Sequence, residues 1–234
     1  MHLFYTPDII GDTYQMSEEE SKHASRVLRL QIGDEVVLTD GKGNWMPSEI
    51  VDNHPKRCVL KMKERLSNYK KLGYDLHMAV APTKNINRFE WFLEKATEIG
   101  IARITPMLTA HSERKEVKPQ RLNKVITAAM KQSLKAWHPV LDGMTKYKDV
   151  INQDFDGKKF IAWCEAGEEE RLEKYLTPKE KALILIGPEG GFSIEEVEQA
   201  EEIGFQAVSI SKSRLRTETA ALVACHSVAF INQN

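Results

Sequence analysis

A glycine-rich turn is the stretch of this sequence best suited to hold a ligand. Residues 187–191 are Gly-Pro-Glu-Gly-Gly, and they directly follow the apolar run 182–186. Glycines allow backbone N–H groups to approach a bound molecule closely because they carry no side chain. Three glycines and a proline are more than an ordinary strand-to-helix connection needs. We therefore interpret this stretch as a binding turn, with a simple connection as the alternative.

The spacing of these glycines differs from two common phosphate-binding motifs. The turn lacks the G-x-G-x-x-G spacing of dinucleotide-binding folds, and no Gly-Lys-Ser/Thr follows it as in a Walker A loop. Glu189 would also repel a phosphate cluster, whereas it suits a neutral or cationic ligand. The turn therefore favours a ligand that is not bound through phosphates.

Two more turns follow predicted strands and could join this one. Residues 164–167 follow the strand 160–163, and residues 211–220 follow the strand 207–210. Three strand-end turns at one sheet edge can enclose a small molecule. The last turn holds Arg214 and Arg216 close to Glu218, either as a surface ion pair or as part of the site. Their position at a helix start favours the site.

Most other catalytic motifs are absent from the sequence. It contains neither G-x-S-x-G nor H-E-x-x-H, and His77 and His226 fall inside predicted elements, where core or surface roles are commoner than catalysis. The three cysteines lack C-x-x-C spacing, so we expect free thiols, with no disulfide framework and no metal site. Without these motifs, the sequence favours a reaction that depends on the positioning of the reactants rather than on a reactive side chain.

The N-terminal residues 1–70 are predicted to form a small β-barrel-like domain, with a polar linker at 68–73. Short strands surround one predicted helix at 17–30, which a capping box of Ser17 and Glu20 would start. Its predicted buried face is Ala24, Val27 and Leu28. Three residues of this helix partly share a face that could approach a phosphate backbone: His23, Arg26 and Arg29.

From residue 74 the pattern changes to strands that alternate with helices. The predicted strands are 76–80, 101–108, 160–163, 182–186 and 207–210, and the predicted helices lie near 89–99, 122–130, 194–203 and 217–231. A capping box of Ser193 and Glu196 should start the third helix. This alternation indicates a parallel sheet covered by helices on both faces.

The charge is distributed unevenly over the 234 residues, although the net charge is only −1. Residues 111–148 hold nine Lys/Arg against three Asp/Glu, and residues 165–202 hold four Lys/Arg against twelve Glu. The basic stretch favours a nucleic acid and a solvated helix surface about equally. No apolar run could span a membrane and no leader is evident, so we expect a cytoplasmic protein.

The turns and several other segments resemble the RsmE family, bacterial 16S rRNA uridine-N3 methyltransferases of the SPOUT superfamily. The strongest segments are G-P-E-G-G-F at 187–192 and L-R-T-E-T-A at 215–220. His23 with V-L-R-L at 27–30 and D-G-K-G at 40–43 is similar to that family's PUA-like RNA-binding domain. Residues 84–100, 106–109 and 131–133 resemble its middle segments. The likeness spans the whole chain.

The resemblance implies an α/β fold: a C-terminal SPOUT-type parallel sheet at 74–234, with a trefoil knot within about 160–234, preceded by a PUA-like β-barrel domain at 1–70. It also implies a homodimer and S-adenosyl-L-methionine bound among the strand-end turns. By this likeness the cofactor contacts are Glu165, Ile186, Gly187, Gly191, Ile210, Leu215, Arg216 and Ala220. The family pattern differs at Ser211, Ser213 and Arg214, which leaves a role for Arg214 open.

The resemblance also implies a mechanism for the uridine. Arg216 would stabilise negative charge developing on the base, and Glu218 would orient that arginine or act as a base. The substrate is expected to be 16S rRNA, free or within the small ribosomal subunit, and the residues expected to hold its phosphates are His23, Arg26, Arg29, Arg114, Lys115, Arg121 and Lys124. A non-catalytic ribosome-assembly factor with the same fold is the alternative.

Overall fold

The computed structural model describes residues 1–233, which form two compact units. The N-terminal unit contains Met1–Lys71 together with Met130–His138, and the rest of the described chain forms the C-terminal unit. The short segment joins the N-terminal unit through backbone hydrogen bonds: Gly43 N–H donates to the Ala136 carbonyl at 2.9 Å, and His138 N–H donates to the Gly41 carbonyl at 2.9 Å. Because these hydrogen bonds join residues far apart in the chain, no local sequence pattern predicts that this segment belongs to the N-terminal unit.

Five strands form the sheet of the N-terminal unit. They are β1 (Leu3–Tyr5), β2 (Thr13–Gln15), β3 (Glu35–Thr39), β4 (Trp45–Asp52) and β5 (Val59–Met62). Their order is β1-β3-β4-β5-β2; β1 is parallel to β3 and the other pairs are antiparallel. Apolar side chains such as Leu38, Met46, Ile50 and Leu60 are fully buried in its core. Residues 40–44 join the antiparallel strands β3 and β4 as a hairpin loop.

The predicted helix over 17–30 is only partly correct. Helix α1 covers Glu18–Lys22, and the next turn, His23–Val27, is π-helical. The wider turn adds a residue and rotates the chain, so Val27 is 66% exposed instead of buried. Arg29 then takes a left-handed φ of +53° outside the helix. His23, Arg26 and Arg29 are all exposed, but they do not form the expected regular helix face.

The predicted capping box of this helix is also only half formed. The Ser17 hydroxyl accepts a hydrogen bond from Glu20 N–H at 3.3 Å. The Glu20 carboxylate does not accept a hydrogen bond from Ser17 N–H; it pairs instead with the Lys131 ammonium at 2.6 Å. A basic partner elsewhere in this unit therefore replaces the local backbone donor.

The C-terminal unit contains a parallel sheet, as predicted. Its strands are β6 (Asp75–Val80), β7 (Arg103–Leu108), β8 (Val140–Leu141), β9 (Thr145–Lys146), β10 (Lys158–Ala162), β11 (Lys181–Ile186) and β12 (Gln206–Val208). The order is β12-β10-β11-β6-β7-β8, every pair is parallel, and β9 pairs with the end of β7.

Helices cover both faces of this sheet. They are α2 (Ile86–Ile99), α3 (Pro119–Gln132), α4 (Tyr147–Ile151), α5 (Leu172–Tyr175), α6 (Ile194–Glu202) and α7 (Thr217–Ile231). One core joins α2, α3, α5 and α7 to side chains such as Met78 and Ile184. The other joins α4 and α6 to alternate strand residues such as Ala79 and Leu185. Among the described residues, no helix is long and apolar enough to cross a membrane.

Candidate functional site

The predicted binding turn lies at the carboxyl edge of the parallel sheet. It follows β11, which lies between β10 and β6, and β12 and β7 are the next strands on either side. Because these strands are parallel, the turns that follow them gather at one edge. Hydrogen bonds across the edge include Ala81 N–H to the Ile186 carbonyl at 2.9 Å and Trp163 N–H to the Val208 carbonyl at 3.0 Å.

The glycine turn has a compact geometry that requires glycine at two positions. Gly191 N–H donates to the Pro188 carbonyl at 2.9 Å, which closes the turn, and Gly191 has a φ of +72°. A Cβ on Gly187 would lie 3.2 Å from the Phe192 backbone nitrogen. A Cβ on Gly191 would meet no atom within 4 Å. The chain is therefore tight inside the turn and open at Gly191, where a ligand could approach.

The predicted capping box at the start of α6 is confirmed, and it has an additional partner. The Ser193 hydroxyl accepts from Glu196 N–H at 3.2 Å, and the Glu196 carboxylate accepts from Ser193 N–H at 3.0 Å. The other carboxylate oxygen accepts from Ala110 N–H at 2.8 Å. Glu196 is 8% exposed. This buried carboxylate thus joins the loop after β7 to the helix that follows the glycine turn.

Two other hydrogen-bonded links hold the neighbouring loops together. Lys84 N–H, in the turn after β6, donates to the Glu189 carboxylate at 3.0 Å. The Arg114 guanidinium, in the loop after β7, donates to the carbonyls of Thr83 at 3.0 Å and Lys84 at 2.6 Å. We expected Arg114 to bind RNA phosphates, but two of its donor groups are used inside the protein. Its clearest observed contribution is to fix the turn after β6.

His111, which the sequence did not single out, lies beside the glycine turn. Its Nδ1 is 3.2 Å from the Gly191 carbonyl oxygen, and the side chain is exposed. A Cβ on Gly190 would lie 3.2 Å from the His111 Cβ. The close approach of the two loops therefore depends on a residue without a side chain at 190. Only a long-range contact reveals this histidine, since it belongs to no local motif.

The loop after β12 is organised by the residues that depart from the family pattern. The Ser211 hydroxyl accepts from Ser213 N–H at 3.1 Å, and the Ser209 hydroxyl donates to the Ser211 carbonyl at 3.2 Å. Ile210 is buried, whereas Arg214 is exposed. The serine at 211 therefore supplies a local turn.

Glu218 faces Arg88, and no ion pair between Glu218 and Arg216 occurs among residues 1–233. Glu218 is 7% exposed at the start of α7, and its Oε1 lies 3.9 Å from Arg88 Nε in α2. Its Oε2 is buried without a hydrogen-bond partner among residues 1–233. Arg216 precedes the helix and is exposed. The packing of α7 against α2 brings Glu218 to Arg88, which is 130 residues away in sequence.

The cofactor-contact residues expected from the resemblance occupy the carboxyl edge of the sheet. They are exposed (Glu165, Arg216), buried (Ile186, Ile210) or half-buried (Gly187, Gly191, Leu215, Ala220). All belong to the ends of β10, β11 and β12, the turns that follow them, or the first turn of α7. Backbone groups and apolar side chains are thus both present at this edge, which is a suitable lining for a small amphipathic molecule.

Two concave surfaces lie beside this edge within the C-terminal unit. The larger, about 490 Å³, is lined by Lys84 and residues 113–116. The smaller, about 270 Å³, includes Arg121, which donates to the Glu90 carboxylate at 2.8 Å. Lys115 and Lys124 are exposed. Of the four residues expected to bind RNA here, Arg114 and Arg121 already donate to protein oxygens, whereas the two lysines are exposed.

The remaining titratable side chains and cysteines provide structure rather than a second site. His77 is buried, as expected, with Nε2 2.7 Å from the Thr105 hydroxyl, and burial lowers its pKa to about 4. None of the three cysteines forms a disulfide, and only Cys164 is exposed. Within residues 1–233, no group of three or more His, Cys, Asp or Glu side chains is placed to hold a metal ion.

Comparisons with known proteins identify the class that this fold and site define. Residues 70–229 match the RNA methyltransferase domain family, and residues 17–63 match the RNA methyltransferase PUA domain family. The C-terminal sheet and its turns are thus those of an RNA methyltransferase, and the N-terminal unit is its PUA domain.

Curated relatives and solved structures narrow the class further. The chain is 28% identical over 226 residues to ribosomal RNA small subunit methyltransferase E of Rickettsia conorii, covering 93% of this chain and 89% of the relative. It is 31% identical over 179 residues to the Mesomycoplasma hyopneumoniae protein of that name, covering 74% of this chain and 76% of the relative. The chain belongs to the RsmE family.

Two solved structures resemble the whole chain. A probable rRNA-methyltransferase from Porphyromonas gingivalis has a TM-score of 0.91 and 39% identity, covering 100% of this chain and 99% of the other. A methyltransferase from Legionella pneumophila, solved with its cofactor SAM, has a TM-score of 0.88 and 25% identity, covering 98% of this chain and 97% of the other. The family membership favours an enzyme over a non-catalytic assembly factor.

Proposed function

We propose that this chain transfers a methyl group from S-adenosyl-L-methionine to N3 of a uridine in the 16S rRNA of the small ribosomal subunit. The observation that carries the proposal is the glycine turn of an RNA methyltransferase domain, open at Gly191 and surrounded by the turns after β10 and β12. The relatives' name, ribosomal RNA small subunit methyltransferase E, supports the choice of RNA.

The residues at this edge fit S-adenosyl-L-methionine. Buried Ile186 and Ile210 and half-buried Leu215 offer apolar surface to an adenine ring, and the open face of Gly191 offers backbone groups to the polar part. Glu165 and Glu189 place negative charge near the edge, which favours a sulfonium cation. When bound, the cofactor supplies the methyl group.

The role of the protein is to hold the uridine close and to stabilise its charge. N3 of uridine becomes negative as its proton leaves, and Arg216 is free of ion pairs among the described residues, so it can donate to the base oxygens. Glu218, held opposite Arg88, anchors the start of α7 and thereby fixes the backbone from which Arg216 extends. We propose this supporting role for Glu218 in place of direct pairing.

RNA binding and assembly complete the proposal. His23, Arg26 and Arg29 in the PUA domain, and Arg114, Lys115, Arg121 and Lys124 in the methyltransferase domain, would contact phosphates of the RNA. The apolar side of α7, where Phe230 is 58% exposed, suits a homodimer contact. We further propose the trefoil knot within about 160–234 and action in the cytoplasm.

A methylation assay with a matched pair of arginine variants tests the proposal. Purified protein is incubated with cofactor and either 16S rRNA lacking the modification or small subunits containing it, and nucleosides are identified by mass spectrometry. We expect N3-methyluridine from the wild type and from Arg214→Gln, and a rate about 10²-fold lower from Arg216→Gln. No methylated uridine from either substrate, or equal rates for the two variants, would contradict the proposal.

A further inference from the structure

His111 is a titratable side chain beside the glycine turn that has no part in the function proposed so far. Its Nδ1 lies 3.2 Å from the Gly191 carbonyl oxygen. A carbonyl oxygen can only accept a hydrogen bond, so Nδ1 must carry the proton when this contact forms. In the neutral ring, the lone pair then belongs to Nε2. The glycine turn thus selects the tautomer whose outer nitrogen can accept a proton.

The backbone on both sides of His111 is held firmly. Ala110 N–H donates to the buried Glu196 carboxylate at 2.8 Å. On the other side, the Ser112 hydroxyl accepts from Thr109 N–H at 3.0 Å, and both side chains are buried. The imidazole is therefore an exposed side chain on a fixed loop, which is the arrangement that positions a general base.

We propose that His111 is the general base that removes the N3 proton of the target uridine, an inference that rests on the proposed function. The N3–H bond breaks and its proton moves to Nε2 of His111. The N3 electron pair forms the new bond to the methyl group, and the methyl–sulfur pair stays on sulfur. A neutral methylated base, a neutral thioether and an imidazolium result, so the single positive charge of the reactants is conserved.

The charged groups around His111 suit this role. Glu189 lies in the glycine turn, Glu195 and Glu196 at the start of α6, Lys84 in the turn after β6, and Glu113 and Arg114 in its own loop. Lys84 and Glu113 pair with each other at 2.8 Å. The pKa of Glu195 is lowered, first by a hydrogen bond from its own backbone and then by Ser193, with attraction to His111 as a further cause. A carboxylate therefore stands near the imidazolium that forms.

The other candidate base is less suited to accept the proton. Glu218 is buried and lies opposite Arg88, so a substrate base has little access to its carboxylate. An imidazole nitrogen is in general a stronger base than a carboxylate oxygen. His111 is exposed where a substrate base could reach it, whereas Glu218 is not.

The test uses His111→Asn, because the asparagine amide can still donate to the Gly191 carbonyl but cannot accept a proton as a base. We expect ¹⁵N NMR of the wild type to show His111 protonated on Nδ1. Cofactor affinity of the variant should stay within twofold of the wild type, which shows that the turn is intact. Single-turnover methylation should fall about 10²-fold or more, and its rate should rise with pH through the alkaline range where the wild-type rate has levelled off.

Three results separate the possible failures. A His111 ring protonated on Nε2 would overturn this role whatever the enzyme's activity. A variant rate within threefold of the wild type, with the same pH profile, would also overturn it while leaving the proposed function intact. Wild-type protein that forms no N3-methyluridine on small subunits would overturn the proposed function and the role of His111 with it.

Discussion

Glu196 should contribute more to stability than its place in a helix cap suggests. Its carboxylate accepts from Ser193 N–H and Ala110 N–H, and the residue is buried. A hydrogen bond to a charged group contributes about 1.5 to 3 kcal/mol. The loss of two such bonds would lower the free energy of unfolding by about 3 to 6 kcal/mol. Because water can reach the exposed Ala110, we expect a smaller loss of about 2 to 4 kcal/mol for Glu196→Ala.

Urea unfolding at one fixed protein concentration measures this loss, because the stability of the proposed homodimer would depend on concentration. Glu198→Ala is the matched control, since Glu198 is exposed in the same helix, and its effect should stay within about 0.5 kcal/mol. Glu196→Gln retains one acceptor oxygen, so its loss of stability should lie between the losses of Glu196→Ala and Glu198→Ala. If Glu196→Ala were no more destabilising than Glu198→Ala, the link between the loop and the cap would not stabilise the fold.

Three other predictions follow from burial and charge. Because burial lowers the pKa of His77 to about 4, the unfolded chain binds a proton between about pH 6.5 and pH 4 that the folded chain does not. Stability measured by urea unfolding should therefore fall by roughly 2 kcal/mol from pH 7 to pH 4.5, and His77→Gln should lack this part of the loss. A thiol reagent should label Cys164 alone in the folded protein, more slowly with S-adenosylhomocysteine bound. Lys124→Gln should reduce the slope of the logarithm of the RNA-binding constant against the logarithm of the salt concentration by about 0.7 to 0.9. The control variant Lys174→Gln should leave this slope unchanged.

Each of these has a clear contrary result. Equal pH dependence in the wild type and His77→Gln would show that this histidine is not the buried neutral group. Labelling of a second thiol before unfolding would contradict the burial of the other cysteines. An unchanged slope in Lys124→Gln would exclude that lysine from the RNA contact.

The sequence predicted the elements that have a clear period and a defined end. Helix α7 over Thr217–Ile231 was located to the residue, because a long apolar run rich in Ala and Val marks it. The two-residue strands β8 and β9 and the short helices α4 and α5 were missed, since they are too short to show a period. The π-helical turn after Lys22 likewise has no sequence signal that distinguishes it from an α-helix.

The candidate site was predictable where it is local and unpredictable where it depends on contacts between loops. The glycine turn and the Ser193–Glu196 cap follow from adjacent residues. The contact of Glu218 with Arg88, and that of His111 with Gly191, join residues far apart in sequence. The order of the parallel strands in the sheet brings such loops together. The periodicity of apolar residues in the sequence does not specify that order.

Calorimetric binding of S-adenosyl-L-methionine to the wild type, Gly191→Val and Gly11→Val is the most direct test of the proposed site. Gly11 has a φ of +77° and open space around it, much as Gly191 has, but it lies in the N-terminal unit, so both variants carry similar backbone strain. We predict binding by the wild type and Gly11→Val, and a loss of at least tenfold in affinity for Gly191→Val. Equal affinity in all three proteins, or no binding by the wild type, would contradict a cofactor site at the glycine turn.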